Sequence, residues 1–376
     1  MFIQSIHNFR AIAILMVVMV HVYAYGLENT PFYTSVFKNI LSGCTALLVF
    51  ISGYMFHHVF YKSFSYSKFI SSKFSKVVTP YLFLSTMAIF MLYAMKGGYF
   101  SSTADYGNIA FFNAGDSDPV TILKYYLTGR MITAYWYIPC AILLFLCSPL
   151  HVKFIHAARN QQIITIALLS ILSIVVHRSY ENINPIQMFI YFTPIYLLGI
   201  YVSLHGNPQE DRSKTKAFIF TLLALLIAVY QSYTGHQGNY TKEIFEFNGI
   251  DFMFIQKFFL CLSVYYLTNI YVFNNKIMNT IANTSFAIFF IHPWVITTLK
   301  RLPFYGEQSS YNPIYYFITF ALVITISTCS AVMLKKTVKA KNKNKIHYWL
   351  LNSSTIIPYT SQRLILFLCE VAFLPR

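Results

Sequence analysis

Arg10 and His21 bracket ten uncharged residues, AIAILMVVMV, near the start of the chain. A guanidinium is a lasting cation that grips phosphate or carboxylate through two parallel hydrogen bonds. An imidazole moves protons near neutral pH and can also carry an acyl group. Eleven positions at about 100° each make close to three helical turns, so both side chains leave one face, roughly 16 Å apart along the axis. One elongated ligand, anionic at one end and reactive at the other, fits that spacing. Arg10 is equally well explained as the positive flank of a membrane span. For His21 packing against a polar neighbour is the weaker account, because ionisable residues inside spans usually face a functional interior.

The element holding this pair is a membrane helix. A chain of 376 residues that is 56% hydrophobic and 11% charged is too apolar for a water-soluble globule. Apolar runs near residues 8–27, 38–60, 77–96, 133–152, 162–178, 186–204, 216–233, 250–273, 279–298 and 313–334 each suffice to cross about 30 Å of hydrocarbon. They are continuous rather than alternating, which favours helices over an outer-membrane barrel. The expected fold is therefore all-α, a polytopic membrane protein of ten spans. No small-residue cleavage site follows the first run, so it is expected to be retained.

A formal charge of +16 raises nucleic acid as a partner, but the basic residues gather in alternate loops instead of one patch. Lys62, Lys68, Lys73 and Lys76 follow the second run, Lys153 and Arg159 the fourth, Arg212, Lys214 and Lys216 the sixth, and Lys276 the eighth. The intervening loops carry Asp105, Asp116 and Asp118, or Glu243 and Glu246. By the positive-inside rule both termini are cytoplasmic, in agreement with the lysine run from Lys335 to Lys345. The lipid bilayer is the expected partner and nucleic acid is not.

The six cysteines, Cys44, Cys140, Cys147, Cys261, Cys329 and Cys369, make no disulfide framework, since five fall within expected spans at unrelated spacings. No metal site is expected: His57 and His58 are adjacent and diverge on a helix, and no Cys-x-x-Cys occurs. Phosphate-binding glycine loops and a nucleophile elbow are also missing from the sequence. The longest polar stretch, 97–131, has Gly97, Gly98, Gly107 and Gly115 as breakers and an amphipathic helix expected around 119–130. No internal repeat supports an inverted-repeat transporter.

Five segments together resemble one family. Arg-x10-His is joined by LLVFISGYMF (47–56) with its Ser52–Gly53 pair, SSKFSKVVTPYLF (71–83), AYWYIPCAILLFLCSPL (134–150) and NTSFAIFFIHPWV (283–295). In this order they resemble the acyltransferase family 3 membrane proteins, which include bacterial O-antigen and capsule O-acetyltransferases. The likeness covers about residues 5–336. It departs at Lys73-x-x-Lys76, where the family often has Arg-x-x-Arg. A lysine offers a point charge without the bidentate fork.

The resemblance implies transfer of an acetyl group from cytoplasmic acetyl-CoA, a substrate and not a resident cofactor, to a hydroxyl of an envelope glycan or lipid-linked saccharide. It implies a bacterial cytoplasmic (inner) membrane, and glycan-assembly proteins as further partners. His21 is then the candidate base or acyl carrier, and Arg10, Lys73 and Lys76 the candidate cations for the CoA phosphates. Ser52, Trp136 and His292 are candidate cavity residues. Gly53 would let helices approach closely beside His21, Trp136 serves equally well in an aromatic belt, and Pro293 would loosen the ninth span around His292. Lys257 is expected to snorkel toward Asp251, and Asp251 and Glu28 are carboxylates available on the acceptor side. Some family members append a soluble esterase-like domain that these residues lack, which leaves acceptor binding to the spans, the outer loops or a partner. The domain expected is 1–336, with a basic, then apolar, tail at 337–376. A membrane transporter and an envelope-assembly component are the alternatives; neither needs acetyl-CoA.

Overall fold

The computed structural model describes residues 3–28, 32–94, 116–208, 210–306 and 310–351, with the side chains of 94 and 338–351 excepted. Most of the glycine-bearing loop expected at 97–131, Cys369 and most of the 337–376 tail lie outside them. The chain forms α1 (Gln4–His21), α2 (Phe32–Leu41), α3 (Thr45–Met55), α4 (Tyr66–Lys73), α5 (Thr79–Ala94), α6 (Asp118–Thr128), α7 (Tyr137–Leu146), α8 (Ser148–His156) and α9 (Arg159–Val176). It continues through a two-residue strand β1 (Arg178–Ser179), α10 (Pro185–His205), α11 (Lys214–Tyr233), a second short strand β2 (Thr241–Lys242), α12 (Phe252–Ile270), α13 (Lys276–Lys300) and α14 (Pro313–Leu351). The amphipathic helix expected near 119–130 is α6.

Among the described residues eight helical segments are long and apolar enough to cross a membrane. A ninth forms if α7 and α8, bent by 56° at Cys147, make one broken span. The remaining expected span is α1, 18 residues long, whose first turns carry Gln4, Ser5, His7, Asn8 and Arg10. Those polar residues lower its hydropathy, and they are tolerated because α1 is packed among α2, α3, α12, α13 and α14. Phe9, Ala11, Ala13, Ile14, Val17 and Val18 are all buried, as in a helix enclosed on most sides.

Glycine sets one close approach. A Cβ on Gly53 of α3 would lie 2.0 Å from the Tyr196 carbonyl oxygen of α10, and one on Gly199 of α10 would lie 2.0 Å from the Phe50 carbonyl oxygen of α3. The two backbones therefore touch where only glycine leaves room. The close approach expected at Gly53 is made to α10. Side chains also define helix ends: the Asn184 carboxamide oxygen accepts from the Ile186 and Gln187 amides, and that of Asn275 from the Met278 amide.

Polar contacts fall into two layers. At one end Gln4 reaches Asn279 and Phe273, Tyr61 pairs with His156, His57 with Ser203, and Tyr265 donates to Asp211. At the other end the Asn312 amide donates to Gly26, Asn39 bonds Ser232, and β1 pairs in parallel with β2, Arg178 opposite Thr241. Among the described residues, where both ends of an expected span carry such contacts they fall in opposite layers, as an alternating membrane topology requires. Both ion pairs among the described residues, Lys124–Asp116 and Arg130–Glu181, belong to the layer of α6 and β1.

Candidate active site

At its amino-terminal end α1 presents Arg10, whose Nη2 donates to Ser285 Oγ of α13 at 3.1 Å. The Ser285 hydroxyl spends its own proton on the Ala282 carbonyl at 2.9 Å, so its lone pair faces the guanidinium. Arg10 and Ser285 line a cavity of about 180 Å³ together with Ser52, Lys73, Tyr137 and Phe289. Three sequence candidates thus converge on one cavity. Ser52 lines this cavity with Arg10, and neither His21 nor His292 is among the residues around it.

Lys73 is held by aromatic faces. Its Nζ lies 4.3 Å from the centroid of Phe60, 4.7 Å from Phe145 and 5.2 Å from Phe69. Ring quadrupoles attract the ammonium without neutralising it, and neither ion pair among the described residues involves Lys73 or Arg10. Its charge remains open to an anionic ligand. Lys76 is exposed and outside the cavity. The two lysines part because a wider π turn, Phe74–Val78, begins between them and breaks the i, i+3 register of an α-helix.

Three turns along α1, the His21 ring stands 5.3 Å from that of His292, centroid to centroid. His292 is fully buried and its Nδ1 lies 2.9 Å from the Ile288 carbonyl oxygen. A carbonyl only accepts, so Nδ1 carries the proton and Nε2 keeps a lone pair. That Nε2 is buried without a hydrogen-bond partner, an arrangement proteins seldom leave unused. Pro293 does not open the helix: α13 runs unbroken from Lys276 to Lys300. Phe289 joins the two ends, lining the Arg10 cavity and standing 6.1 Å from His292.

Trp136 is buried and stacks on Phe192 of α10 at 6.1 Å, which removes it from an aromatic belt. The Arg178 guanidinium carbon lies 4.7 Å from the Trp136 ring centroid. Lys257 does not snorkel; it is buried, its Nζ donating to the carbonyls of Asn39 and Ile40 at 2.9 and 2.7 Å at the carboxyl end of α2. Asp251 caps α12 by accepting from the Phe254 amide at 2.8 Å, and Glu28 is exposed. Neither carboxylate is brought to the histidine pair by a contact.

Sequence reasoning missed Ser285, Tyr137 and Arg178. Ser285 was within reach, since it precedes His292 by seven residues, two helical turns, inside a segment already singled out. Arg178 had a signal too, as a cation at the end of an apolar run on the face where the charge pattern calls for few.

Residues 3–332 match the family of the acyltransferase domain. The chain belongs to acyltransferase family 3. No curated protein and no solved structure matches it. This member of acyltransferase family 3 is an enzyme of the acyltransferase class, an all-α protein with multiple membrane-spanning helices. Membership decides against the carrier and scaffold alternatives. It also places Arg10, His21 and His292 within the matched region.

Proposed function

We propose that the enzyme moves an acetyl group from acetyl-CoA to a hydroxyl of a cell-envelope glycan. One observation carries this reading. Arg10, with Lys73 of α4 on the same cavity, and the His21–His292 pair mark the two ends of a single α1–α13 seam, so cations that suit phosphates and imidazoles that suit proton transfer address one elongated ligand. CoA, with its phosphates distant from its thioester, is such a ligand. The lysine-rich layer then faces the cytoplasm of a bacterium, both termini lie there, and the enzyme resides in the inner membrane.

In this reaction His21 takes the proton of the acceptor hydroxyl as its oxygen attacks the thioester carbon. The tetrahedral intermediate collapses, the carbon–sulfur bond breaks, and the imidazolium returns the proton to the CoA thiolate. The unpaired Nε2 of His292 is the acceptor available to orient His21 while it is protonated. The acceptor, a glycan or lipid-linked saccharide, enters from the layer that holds β1 and β2, where glycan-assembly proteins would deliver it.

The test is direct. Protein purified into nanodiscs and given radiolabelled acetyl-CoA should bind it and slowly release acetate, and acid quenching should leave no label on the protein. Failure to bind acetyl-CoA would remove the donor; label retained on a histidine would replace the base by an acyl carrier.

A further inference from the structure

Arg178, in the layer that holds β1 and β2, combines burial, charge and an unpartnered donor. It is 3% exposed, its guanidinium carbon 4.7 Å from the Trp136 ring centroid and 5.8 Å from that of Phe192. Its Nη1 donates to Asn239 Oδ1 and its Nη2 to Asn182 Oδ1, each at 2.8 Å, while its Nε is buried with no partner. Amide oxygens satisfy donors but cancel no charge. Neither ion pair among the described residues includes Arg178, and Asp251 acts on it only through space. From the Trp136 ring against Arg178, aromatic contacts lead to the histidine pair: Trp136 stands 6.2 Å from Tyr137, Tyr137 5.6 Å from Phe289, and Phe289 6.1 Å from His292.

The backbone around it is built for this placement. His177 (φ 58°), Glu181 (φ 49°) and Asn182 (φ 57°) all adopt the left-handed region without being glycine, and β1 is tied to β2 at Arg178 itself. Such strain persists only where surrounding contacts over-determine it. A buried guanidinium stacked on indole, fixed by two asparagines and lacking a contact anion is unfavourable by itself. An anion arriving in the site relieves it.

We infer that the stacked guanidinium of Arg178 receives a negative oxygen presented beside His21 during acyl transfer. Trp136, Asn182 and Asn239 act as positioning residues that hold its plane. Arg178 makes and breaks no covalent bond and stays protonated. The inference rests on the proposed function, since it takes His21 as the reacting centre. Two sources supply the same chemistry: the oxyanion of the tetrahedral intermediate, or a carboxylate on the acceptor glycan.

The experiment compares wild type, Arg178→Gln, Arg178→Lys and His21→Ala in nanodiscs, at matched amounts of monodisperse protein. Two rates are measured: hydrolysis of acetyl-CoA by water, and transfer to de-O-acetylated envelope polysaccharide, either native or with its carboxyls reduced to alcohols. If the oxygen is the oxyanion, Arg178→Gln lowers kcat of both reactions about 10²–10³-fold and leaves KM for acetyl-CoA unchanged. If it belongs to the acceptor, hydrolysis is unchanged, KM for native polysaccharide rises, and the carboxyl-reduced glycan is used equally poorly by wild type and Arg178→Gln. Wild-type values in both reactions for Arg178→Gln overturn the inference. Should that variant not fold, Arg178→Lys decides: a flexible point charge cannot keep the stacked plane, so at least a tenfold loss in one reaction is expected and full activity in both overturns it. His21→Ala separates the failures. If it is inactive while the Arg178 variants are normal, only the Arg178 inference falls; if it retains both reactions, the proposed function falls first.

Discussion

His21 of α1 and His292 of α13 face each other ring to ring at 5.3 Å, although 271 positions separate them in the chain. The same two helices meet again where Arg10 bonds Ser285. Both contacts run in the same order along α1 and α13, so the helices are parallel and share one polar seam. The rings are close enough that replacing either one changes the surroundings of the other, which is how their variants should be read.

His21→Ala should abolish glycan O-acetylation while abundance in the membrane stays near wild type. Loss of a positioned base lowers the rate by about 10²–10⁴-fold. His21→Gln keeps a donor and an acceptor but takes up no proton at neutral pH, so it should be as inactive as alanine. The readout is acetyl incorporated into surface polysaccharide at matched protein level. Substantial turnover by the glutamine variant would falsify the base role and transfer attention to His292.

Arg10→Ala should weaken acetyl-CoA binding by roughly 10–150-fold, the equivalent of one hydrogen bond to a charged group, about 1.5–3 kcal/mol. Affinity for the acceptor should not change. Ser285→Ala, which removes only the hydroxyl that steadies the guanidinium, should have a smaller effect in the same direction. Calorimetry on purified protein separates donor from acceptor binding, and unaltered donor affinity in Arg10→Ala rules out phosphate contact.

Gly53→Ala should destabilise the bundle without touching chemistry. Its Cβ would meet the Tyr196 carbonyl at 2.0 Å, backbone against side chain, so α3 and α10 must separate. Overpacking of this kind costs about 1–3 kcal/mol. A clearly lower Tm with normal turnover per folded molecule is expected, whereas Ser52→Ala, facing the cavity, should leave Tm unchanged. Equal Tm values for Gly53→Ala and wild type would show that the helices do not meet there.

Orientation in the membrane can be read by cysteine labelling. Lys68 and Thr234 are exposed and belong to opposite polar layers. A membrane-impermeant maleimide added to intact spheroplasts should label Thr234→Cys at once and Lys68→Cys only after permeabilisation. The reverse pattern would put the lysine-rich layer outside and detach Arg10 from a cytoplasmic donor.

Everything that repeats along one helix was legible in the residues. The 3.6-residue period puts Arg10 and His21 on one face, the length of each apolar run marks a span, and alternating loop charge orders the loops, because these depend on local geometry and on the bilayer as solvent. What faces what was decided only by tertiary structure. Lys73 and Lys76 look equivalent until a π turn caps one with three rings and leaves the other exposed. Lys257 reads as a snorkelling cation until α2 ends against it and its carbonyls take the charge inside. Arg178 reads as the tail of a span until β2, Trp136 and two asparagines enclose it. A cation in a bilayer must find donor-matched oxygens or aromatic faces, and those partners come from helices far away in the chain. Local spacing determines which side chains a helix can offer; only the packing of distant surfaces determines which of them remain free to act.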